Sequence, residues 1–174
     1  TTADIDNNSF DNCGIATQSL DSTSFDCSEV GDNVVTLTIT DANGNTNSAT
    51  AVVTVSDTIS PTVITQNVTV YLDANGAASI STADIDNNSF DNCGVATLSL
   101  DSTNFDCSEV GANTVTLTVT DVNANANTAT ATVTVLDTIS PTVITQNITL
   151  YLDSNGEAST DENAINNGSF DNCG

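Results

Sequence analysis

The side chains of this sequence that could bind a ligand are carboxylates, and many of them lie in short runs with asparagine. One run covers residues 84–92, and a second begins at residue 121. Carboxylate and amide oxygens are hard ligands, and Ca²⁺ takes about six to eight of them. We therefore predict a structural calcium site, to which we assign Asp57, Asp84, Asp86, Asp91, Asp121 and Asn123.

The same acidic runs also fit a second interpretation, in which they are solvated turns. Asn and Asp tolerate left-handed backbone and form local hydrogen bonds in turns. The start of the first run, Asp84-Ile85-Asp86, resembles an EF-hand loop, but the glycine and the glutamate that this motif needs are missing. In the third copy of the run, Ala164 and Asn166 replace the two aspartates. The sequence supports both interpretations.

Five cysteines, at positions 13, 27, 93, 107 and 173, are the second group that could do chemistry. Cys13 and Cys27 have 13 residues between them, as have Cys93 and Cys107. Two thiols without histidine leave a zinc site short of ligands. We predict that each of these two pairs forms a disulfide within its own repeat; a free thiol pair and a link between chains are the alternatives. Disulfides indicate an oxidising, extracellular setting.

The residue types that are absent exclude several functions. The 174 residues include 23 acidic side chains and no Lys, Arg or His, so the formal net charge is −23. The phosphate groups of nucleic acids and anionic lipids would meet no cationic side chain on this protein. This excludes both as direct partners. A Ser-His-Asp triad and a P-loop cannot be built. No apolar run approaches the roughly 18 residues of a membrane span. We therefore expect no membrane insertion and, although carboxylate pairs can hydrolyse glycosides, no enzyme.

An 80-residue sequence repeat sets the positions of these groups. The sequence TADIDNNSFDNCG occupies residues 2–14 and 82–94, and the cysteines recur at the same interval. Pro61 and Pro141, which cannot donate to a β-ladder, mark the linkers. We predict the C-terminal part of one repeat at 1–57, a complete repeat at 58–137, and the N-terminal part of a third at 138–174.

The two partial repeats together have 94 residues, 14 more than one repeat, because both contain the Asp-Asn-Cys-Gly segment. This redundancy argues against a subunit that is completed by a strand from a neighbouring chain. We expect instead a segment of a longer repeat protein.

The elements that carry these groups are short strands. Thr114–Thr120 alternates apolar and threonine residues, a pattern typical of half-buried antiparallel strands. Further strands are predicted at Val63–Leu72, Ala77–Thr82, Val95–Leu100, Phe105–Val110 and Thr128–Val135. No stretch has a helical period. We predict an all-β fold of tandem immunoglobulin-like β-sandwich domains, about 80 residues each, in a string. In this fold the acidic runs lie at one pole, where one domain meets the linker of the previous one.

The repeat resembles the hyalin-repeat (HYR) family. The resemblance rests on Ser60-Pro61, Asp91-Asn92-Cys93-Gly94-Val95, Val110-Gly111 through Val115, and Thr120-Asp121, and it extends over the whole 80-residue period. It implies an immunoglobulin-like, extracellular module linked to adhesion. Family members often place the second cysteine in the last strand, where this sequence has Ala129 and Ala131, so the family's disulfide pattern does not transfer.

The near-identical copies, rich in Thr, Asn and Asp, also resemble giant surface adhesins of Bacteroidota-type bacteria. That resemblance implies O-glycosylation at Asp-(Ser/Thr) motifs followed by an aliphatic residue or threonine. The matching hydroxyls belong to Thr58, Thr138, Ser22 and Ser102.

The leading functional hypothesis is a stalk or filament segment of a secreted or cell-surface repeat adhesin, bacterial by its sequence style, with disulfides and calcium as its braces. Its partners would be neighbouring repeats of the same chain and other copies in a filament. The alternative is a glycan- or protein-binding immunoglobulin-like module. Against the alternative, the chain has no Trp and only two tyrosines, which occupy one equivalent position.

Overall fold

The computed structural model describes all residues from 1 to 174 and is built mainly of antiparallel strands. Its contacts divide the chain into two compact units. The first unit consists of 1–59 with the short segments 92–94 and 122–125. The second unit consists of 60–91, 95–121 and 126–174.

The first unit contains one three-stranded antiparallel sheet. Its strands are β1 (Ile15–Leu20), β2 (Gly31–Asp41) and β3 (Thr46–Val55), with β2 in the centre. A four-residue helix α1 (Thr2–Ile5) precedes the sheet, and a single 3-10 turn covers Cys27–Glu29. Val35 and Leu37 are its buried residues on β2.

The second unit contains a four-stranded sheet and a two-stranded sheet. The larger sheet has the order β4-β9-β8-β6, and the smaller one pairs β5 with β7. The strand bounds are β4 (Val68–Tyr71), β5 (Ala77–Ser79), β6 (Val95–Leu100), β7 (Asn104–Asp106), β8 (Gly111–Asp121) and β9 (Ala126–Leu136). Two helices of four residues, α2 (Thr82–Ile85) and α3 (Glu162–Ile165), and a 3-10 turn at Cys107–Glu109 complete the unit.

Strands in which apolar and polar residues alternate build the core of the second unit. Val115, Leu117 and Val119 of β8 point to one face together with Val133 and Val135 of β9, and all five are buried completely. Phe105 of the smaller sheet and Ile85 of α2 belong to the same apolar cluster. Each of these side chains adds roughly 1.5–3 kcal/mol of hydrophobic free energy when it is buried, so the cluster is the main source of stability.

The structure confirms the all-β prediction and corrects it in detail. The strand at Val95–Leu100 has the predicted bounds, and β8 and β9 contain the two predicted alternating segments. The sequence predicted no helix, whereas Thr82–Ile85 forms a helical turn. Ser81 explains this turn, because its backbone N–H and hydroxyl both donate to Asp84 in a capping box.

Candidate metal centre and disulfide cross-links

Three of the six predicted calcium ligands form an acidic cluster. Asp57 follows strand β3, Asp91 precedes the segment Asn92–Gly94, and Asp121 ends strand β8. One carboxylate oxygen from each of the three lies within 4.8 Å of the other two. Since Ca²⁺–oxygen distances are about 2.4 Å, ligands on opposite sides of one ion are about 4.8 Å apart. The three oxygens therefore have spacings that a single Ca²⁺ can satisfy.

Asp121 is the most unusual member of the acidic cluster, because only 2% of its surface is exposed. A buried carboxylate is expensive unless a cation or several hydrogen bonds compensate its charge. The chain has no Lys, Arg or His. Its N-terminal amine pairs with Asp4. The negative charge of the cluster therefore has no cationic side chain to offset it, and only hydrogen bonds or a bound cation can compensate it.

Asp57 supplies the second indication of a cation. Its Oδ1 accepts hydrogen bonds from the backbone N–H of Ile59 at 3.1 Å and from Nδ2 of Asn92 at 3.4 Å. Its Oδ2 is buried and has no hydrogen-bond partner. Nδ2 of Asn125 donates to the Asp57 carbonyl at 3.3 Å. A buried carboxylate oxygen that accepts no hydrogen bond is an atom that a metal ion could coordinate.

Two predicted ligands, Asp84 and Asp86, do not belong to the acidic cluster. Asp84 accepts hydrogen bonds from Ser81 at the start of α2, and the Ser81 hydroxyl, followed by its backbone N–H, lowers the pKa of Asp84. Asp86 accepts the backbone N–H of Ser89 at 3.0 Å. Both carboxylates thus form the hydrogen bonds of local turns, as the turn interpretation expects, and their assignment as calcium ligands stays a prediction. The Ser-x-x-Asp capping pattern at 81–84 is the signal that could have shown this.

Asn123, the sixth predicted ligand, lies in the turn that joins β8 to β9, and its side-chain oxygen is buried. The same turn in the first unit shows how such a loop is stabilised. There, Asp41 accepts hydrogen bonds at 2.8 Å from the backbone N–H groups of Asn43 and Asn45. The Asn45 side-chain amide donates to the other oxygen of Asp41, also at 2.8 Å. Aspartate at this position thus organises the turn backbone.

The disulfides differ from the prediction. Cys27 is bonded to Cys93, and Cys107 is bonded to Cys173, each pair being 66 positions apart in the sequence. Cys13 is free and exposed. The predicted pairs Cys13–Cys27 and Cys93–Cys107 were therefore wrong. In both observed bonds, a cysteine of a Cys-Ser-Glu sequence is joined to the cysteine of the following Asp-Asn-Cys-Gly sequence.

A capping box presents the first cysteine of each bond. Asp106 caps the 3-10 turn, because its carboxylate accepts the backbone N–H of Ser108 at 2.7 Å. Glu109 returns the interaction by accepting the backbone N–H of Asp106 at 3.0 Å. Asp26 and Glu29 form the same arrangement at Cys27. The Asp-Cys-Ser-Glu sequence has this capping signature, although sequence reasoning missed it.

The hydroxyls with the glycosylation pattern lie at the surface to different degrees. Thr58 and Thr138 are exposed, whereas Ser22 and Ser102 are half-buried. Thr58 lines a cavity of about 300 Å³ in the first unit, together with Phe25, Cys27 and Asn92. Modification of these residues stays a prediction.

No helix of the structure is long and apolar enough to cross a membrane. No protein-family model matches the chain, and no curated protein matches it either. The hyalin-repeat resemblance therefore stays a prediction.

Among solved structures, the chain is similar to one described as the protocadherin gammaB7 EC3-6 cis-dimer. The identity is 18% and the TM-score is 0.38. The match covers 80% of this chain and 46% of the other, so the chain spans about half the length of that protein.

Proposed function

We propose that this chain is a structural segment of a secreted or cell-surface adhesion protein, in which disulfides connect successive sequence repeats and Ca²⁺ occupies the acidic cluster. The observation that carries the proposal is the pair of disulfides, each joining two cysteines 66 positions apart. Such bonds persist in oxidising compartments outside the cytosol. The absence of basic residues, which removes every trypsin-type cleavage site, also suits exposure outside a cell.

A load-bearing role follows from the positions of the four bonded cysteines. Force applied to the chain ends passes through the two disulfides, and the residues enclosed by each bond carry no tension. Only 1–27, 93–107 and 173–174 can then be extended. The oxidised chain would reach an end-to-end length of roughly 160 Å at most, and the reduced chain a length of about 600 Å, at about 3.6 Å per residue. Limited extensibility is a useful property of a stalk.

Single-molecule stretching of the chain between its two ends tests the load-bearing role. We expect the short extension in the oxidised chain and the long one after reduction. The variant Cys13→Ser is the matched control, because Cys13 is free and its loss should leave the extension unchanged. Equal extension in both redox states would refute the load-bearing role.

Calcium is the second part of the proposal. Asp57, Asp91 and Asp121 would hold the ion, and the ion would compensate the charge that Asp121 carries into the interior. Calcium binding then stabilises the fold by mass action, about 2.7 kcal/mol at a free concentration of 100 times the Kd. The cation has no catalytic task in this interpretation.

Calorimetric titration of the metal-stripped chain tests the calcium site. We expect Ca²⁺ binding in the wild type, loss of that binding in Asp121→Asn, and unchanged binding in Asp84→Asn, whose carboxylate caps α2 outside the acidic cluster. No heat of binding in the folded wild type would contradict the calcium site.

A further inference from the structure

The Cys27–Cys93 disulfide lies directly beside the acidic cluster. Cys93 follows Asp91 by two positions, and Asn92 stands between them. Nδ2 of Asn92 lies 3.2 Å from Sγ of Cys93 and donates to Oδ1 of Asp57 at 3.4 Å. Sγ of Cys27 lies 3.5 Å from the carbonyl oxygen of Asn92. A single residue thus contacts both sulfur atoms of the bond and one carboxylate of the cluster.

The segment that carries Asp91 is held more firmly by the disulfide than by hydrogen bonds on the side that faces Asp57. The neighbouring residue Phe90 exchanges two backbone hydrogen bonds with Thr62, at 2.8 and 3.0 Å. Towards Asp57, the hydrogen bond from Asn92 is, at 3.4 Å, longer than the usual range for an N–H donor. The covalent bond at the next residue is the stronger attachment on that side. It therefore restricts how far Asp91 can move from Asp57.

The charges of the acidic cluster oppose this restriction when no cation is bound. One carboxylate oxygen from each of Asp57, Asp91 and Asp121 lies within 4.8 Å of the other two, and the chain has no Lys, Arg or His. Like charges at such distances repel one another. The repulsion would relax if Asp91 moved away, which the intact disulfide prevents. A bound Ca²⁺ reverses the sign of the interaction, because each carboxylate is then attracted to the ion.

We propose that the Cys27–Cys93 disulfide and the calcium site regulate each other: the intact bond raises the affinity for Ca²⁺, and bound Ca²⁺ protects the bond from reduction by thiols. This inference rests on the calcium site of the proposed function. Coupling between two sites is reciprocal, so reduction lowers the calcium affinity by the same factor by which Ca²⁺ lowers the equilibrium constant of reduction. We expect a factor of at least about five, the lower end of the usual range of such couplings.

The redox step needs a thiol reductant, for which a small dithiol such as dithiothreitol serves. One of its thiolates attacks a sulfur atom of the Cys27–Cys93 bond, and its second thiol then closes the reductant's own disulfide. Two electrons and two protons pass to the protein, and both cysteines become thiols. The ion is neither oxidised nor reduced. It changes the equilibrium because release of Cys93 frees Asp91 to leave Asp57, so that the ion loses a ligand.

The second disulfide is an internal control within the same molecule. Sγ of Cys107 lies 3.3 Å from the carbonyl oxygen of Asn172, and Nδ2 of Asn172 donates to Oδ1 of Asp137 at 3.2 Å. The local arrangement is therefore the same as at the first bond. No group of three acidic side chains lies beside the Cys107–Cys173 bond, however. Calcium should therefore change the reduction of the first bond and leave that of the second unchanged.

Equilibration of the Cys13→Ser chain with mixtures of reduced and oxidised dithiothreitol, in calcium and in chelator, tests the coupling. Thiols are alkylated, and mass spectrometry of a digest after glutamate measures Cys27 in the peptide 1–29 and Cys173 in the peptide 163–174. We expect saturating Ca²⁺ to lower the midpoint potential of Cys27 by at least about 20 mV, which corresponds to a fivefold change in the equilibrium constant. The midpoint potential of Cys173 should stay the same.

Calorimetric titration measures the same coupling from the side of the ion. In the Cys13→Ser background, the double variant Cys27→Ser with Cys93→Ser should bind Ca²⁺ at least about fivefold more weakly than the parent chain. The matched double variant Cys107→Ser with Cys173→Ser should keep the affinity of the parent. Circular dichroism checks that both are folded. The redox titration of the native bond decides the question even where a variant unfolds.

The outcomes separate the coupling from the calcium site itself. The variant Asp121→Asn should abolish the calcium-dependent shift at Cys27. Calcium binding to the oxidised chain with equal Cys27 midpoints in calcium and in chelator would overturn the coupling and leave the calcium site intact. Equal shifts at Cys27 and Cys173 would also overturn it, because the ion would then act through overall stability. Absence of calcium binding to the oxidised chain would overturn both the site and the coupling.

Discussion

Cys107 is bonded to Cys173, 66 positions further along the chain, and not to Cys93, from which only 13 residues separate it. The longer connection restricts the unfolded chain more strongly. In the chain-entropy model, a closed loop of this length contributes about 4 kcal/mol to stability, against about 3 kcal/mol for the short loop. The two observed disulfides therefore act over most of the chain and not within one turn.

Digestion of the unreduced chain after glutamate distinguishes the two connectivities. Cleavage after Glu29, Glu109 and Glu162 gives peptides with Cys13 and Cys27, with Cys93 and Cys107, and with Cys173. The observed bonds join these three peptides into one product. Bonds within each repeat would leave the three peptides separate. Mass spectrometry of the freshly purified, unreduced digest should show the single joined product, and three separate peptides would contradict the structure.

Removal of one disulfide should destabilise the chain by about 2–4 kcal/mol, because the closed loop is lost from the unfolded state. The variant Cys107→Ser with Cys173→Ser is compared with the intact bond, both in a Cys13→Ser background so that no free thiol can rearrange the bonds. Urea unfolding measures the difference. Cys13→Ser alone should have the stability of the wild type, because its thiol is exposed and forms no bond.

The strands could be predicted from the sequence because alternation is a local property. The strands β8 and β9 each show their buried face in the alternation of their own residues. The disulfide partners could not be predicted in this way. Every cysteine recurs at 80-residue intervals, so spacing alone does not say whether a bond lies within a repeat or reaches the next one.

The acidic cluster was predicted in part, for a related reason. Asp57, Asp91 and Asp121 come together as expected, because the ends of strands and the linker place them in neighbouring loops. Asp84 and Asp86 have the same composition around them, but they cap or close local turns. Composition identifies acidic loops, whereas the fold decides which of their carboxylates come together.

Gly76 packs against the disulfide of the second unit. A Cβ at this position would lie 2.6 Å from Sγ of Cys107 and 2.8 Å from the carbonyl oxygen of Asn172. Gly76→Ala should therefore lower the free energy of unfolding by more than the roughly 1 kcal/mol that an alanine at positive φ costs. We expect a loss of about 2–4 kcal/mol.

Gly156→Ala is the matched control for Gly76→Ala. Gly156 is the counterpart of Gly76 80 positions later, its φ of 80° compares with 72° at Gly76, and a Cβ there meets nothing within 4 Å. Urea unfolding of both variants isolates the packing contribution. Equal losses of stability would mean that Gly76 does not contact the disulfide in solution.

The ionised carboxylate of Asp101 should stabilise the fold, and this stabilisation should be lost in acid. The backbone N–H of Thr116, followed by its hydroxyl, lowers the pKa of Asp101, and the backbone hydrogen bond is 2.8 Å long. Because its pKa is lower in the folded than in the unfolded state, the stabilisation is complete above the unfolded value of about 4 and is lost as the pH falls through the folded value.

The urea midpoint of Asp101→Asn, measured from pH 7 to pH 2, checks this contribution. At pH 7 we expect a lower midpoint than in the wild type, because a neutral amide is a weaker acceptor. Below pH 4 the midpoint should fall less steeply than in the wild type. Parallel pH curves for the two proteins would rule out a role of Asp101 ionisation.

Ala124 adopts a left-handed backbone conformation that its counterpart in the first unit, Gly44, adopts without cost. The φ angles are 72° for Ala124 and 89° for Gly44. A residue with a Cβ costs about 1–2 kcal/mol in this region, and glycine loses part of that gain through its greater freedom in the unfolded chain. Ala124→Gly should therefore stabilise the metal-free protein by about 0.5–1 kcal/mol.

The reverse variant Gly44→Ala should destabilise the metal-free protein by a similar amount. A Cβ at Gly44 meets nothing within 4 Å, so only the conformational free energy of the backbone changes. Urea unfolding in the presence of a chelator measures both variants, and changes of the same sign would show that the two turns do not share one conformation.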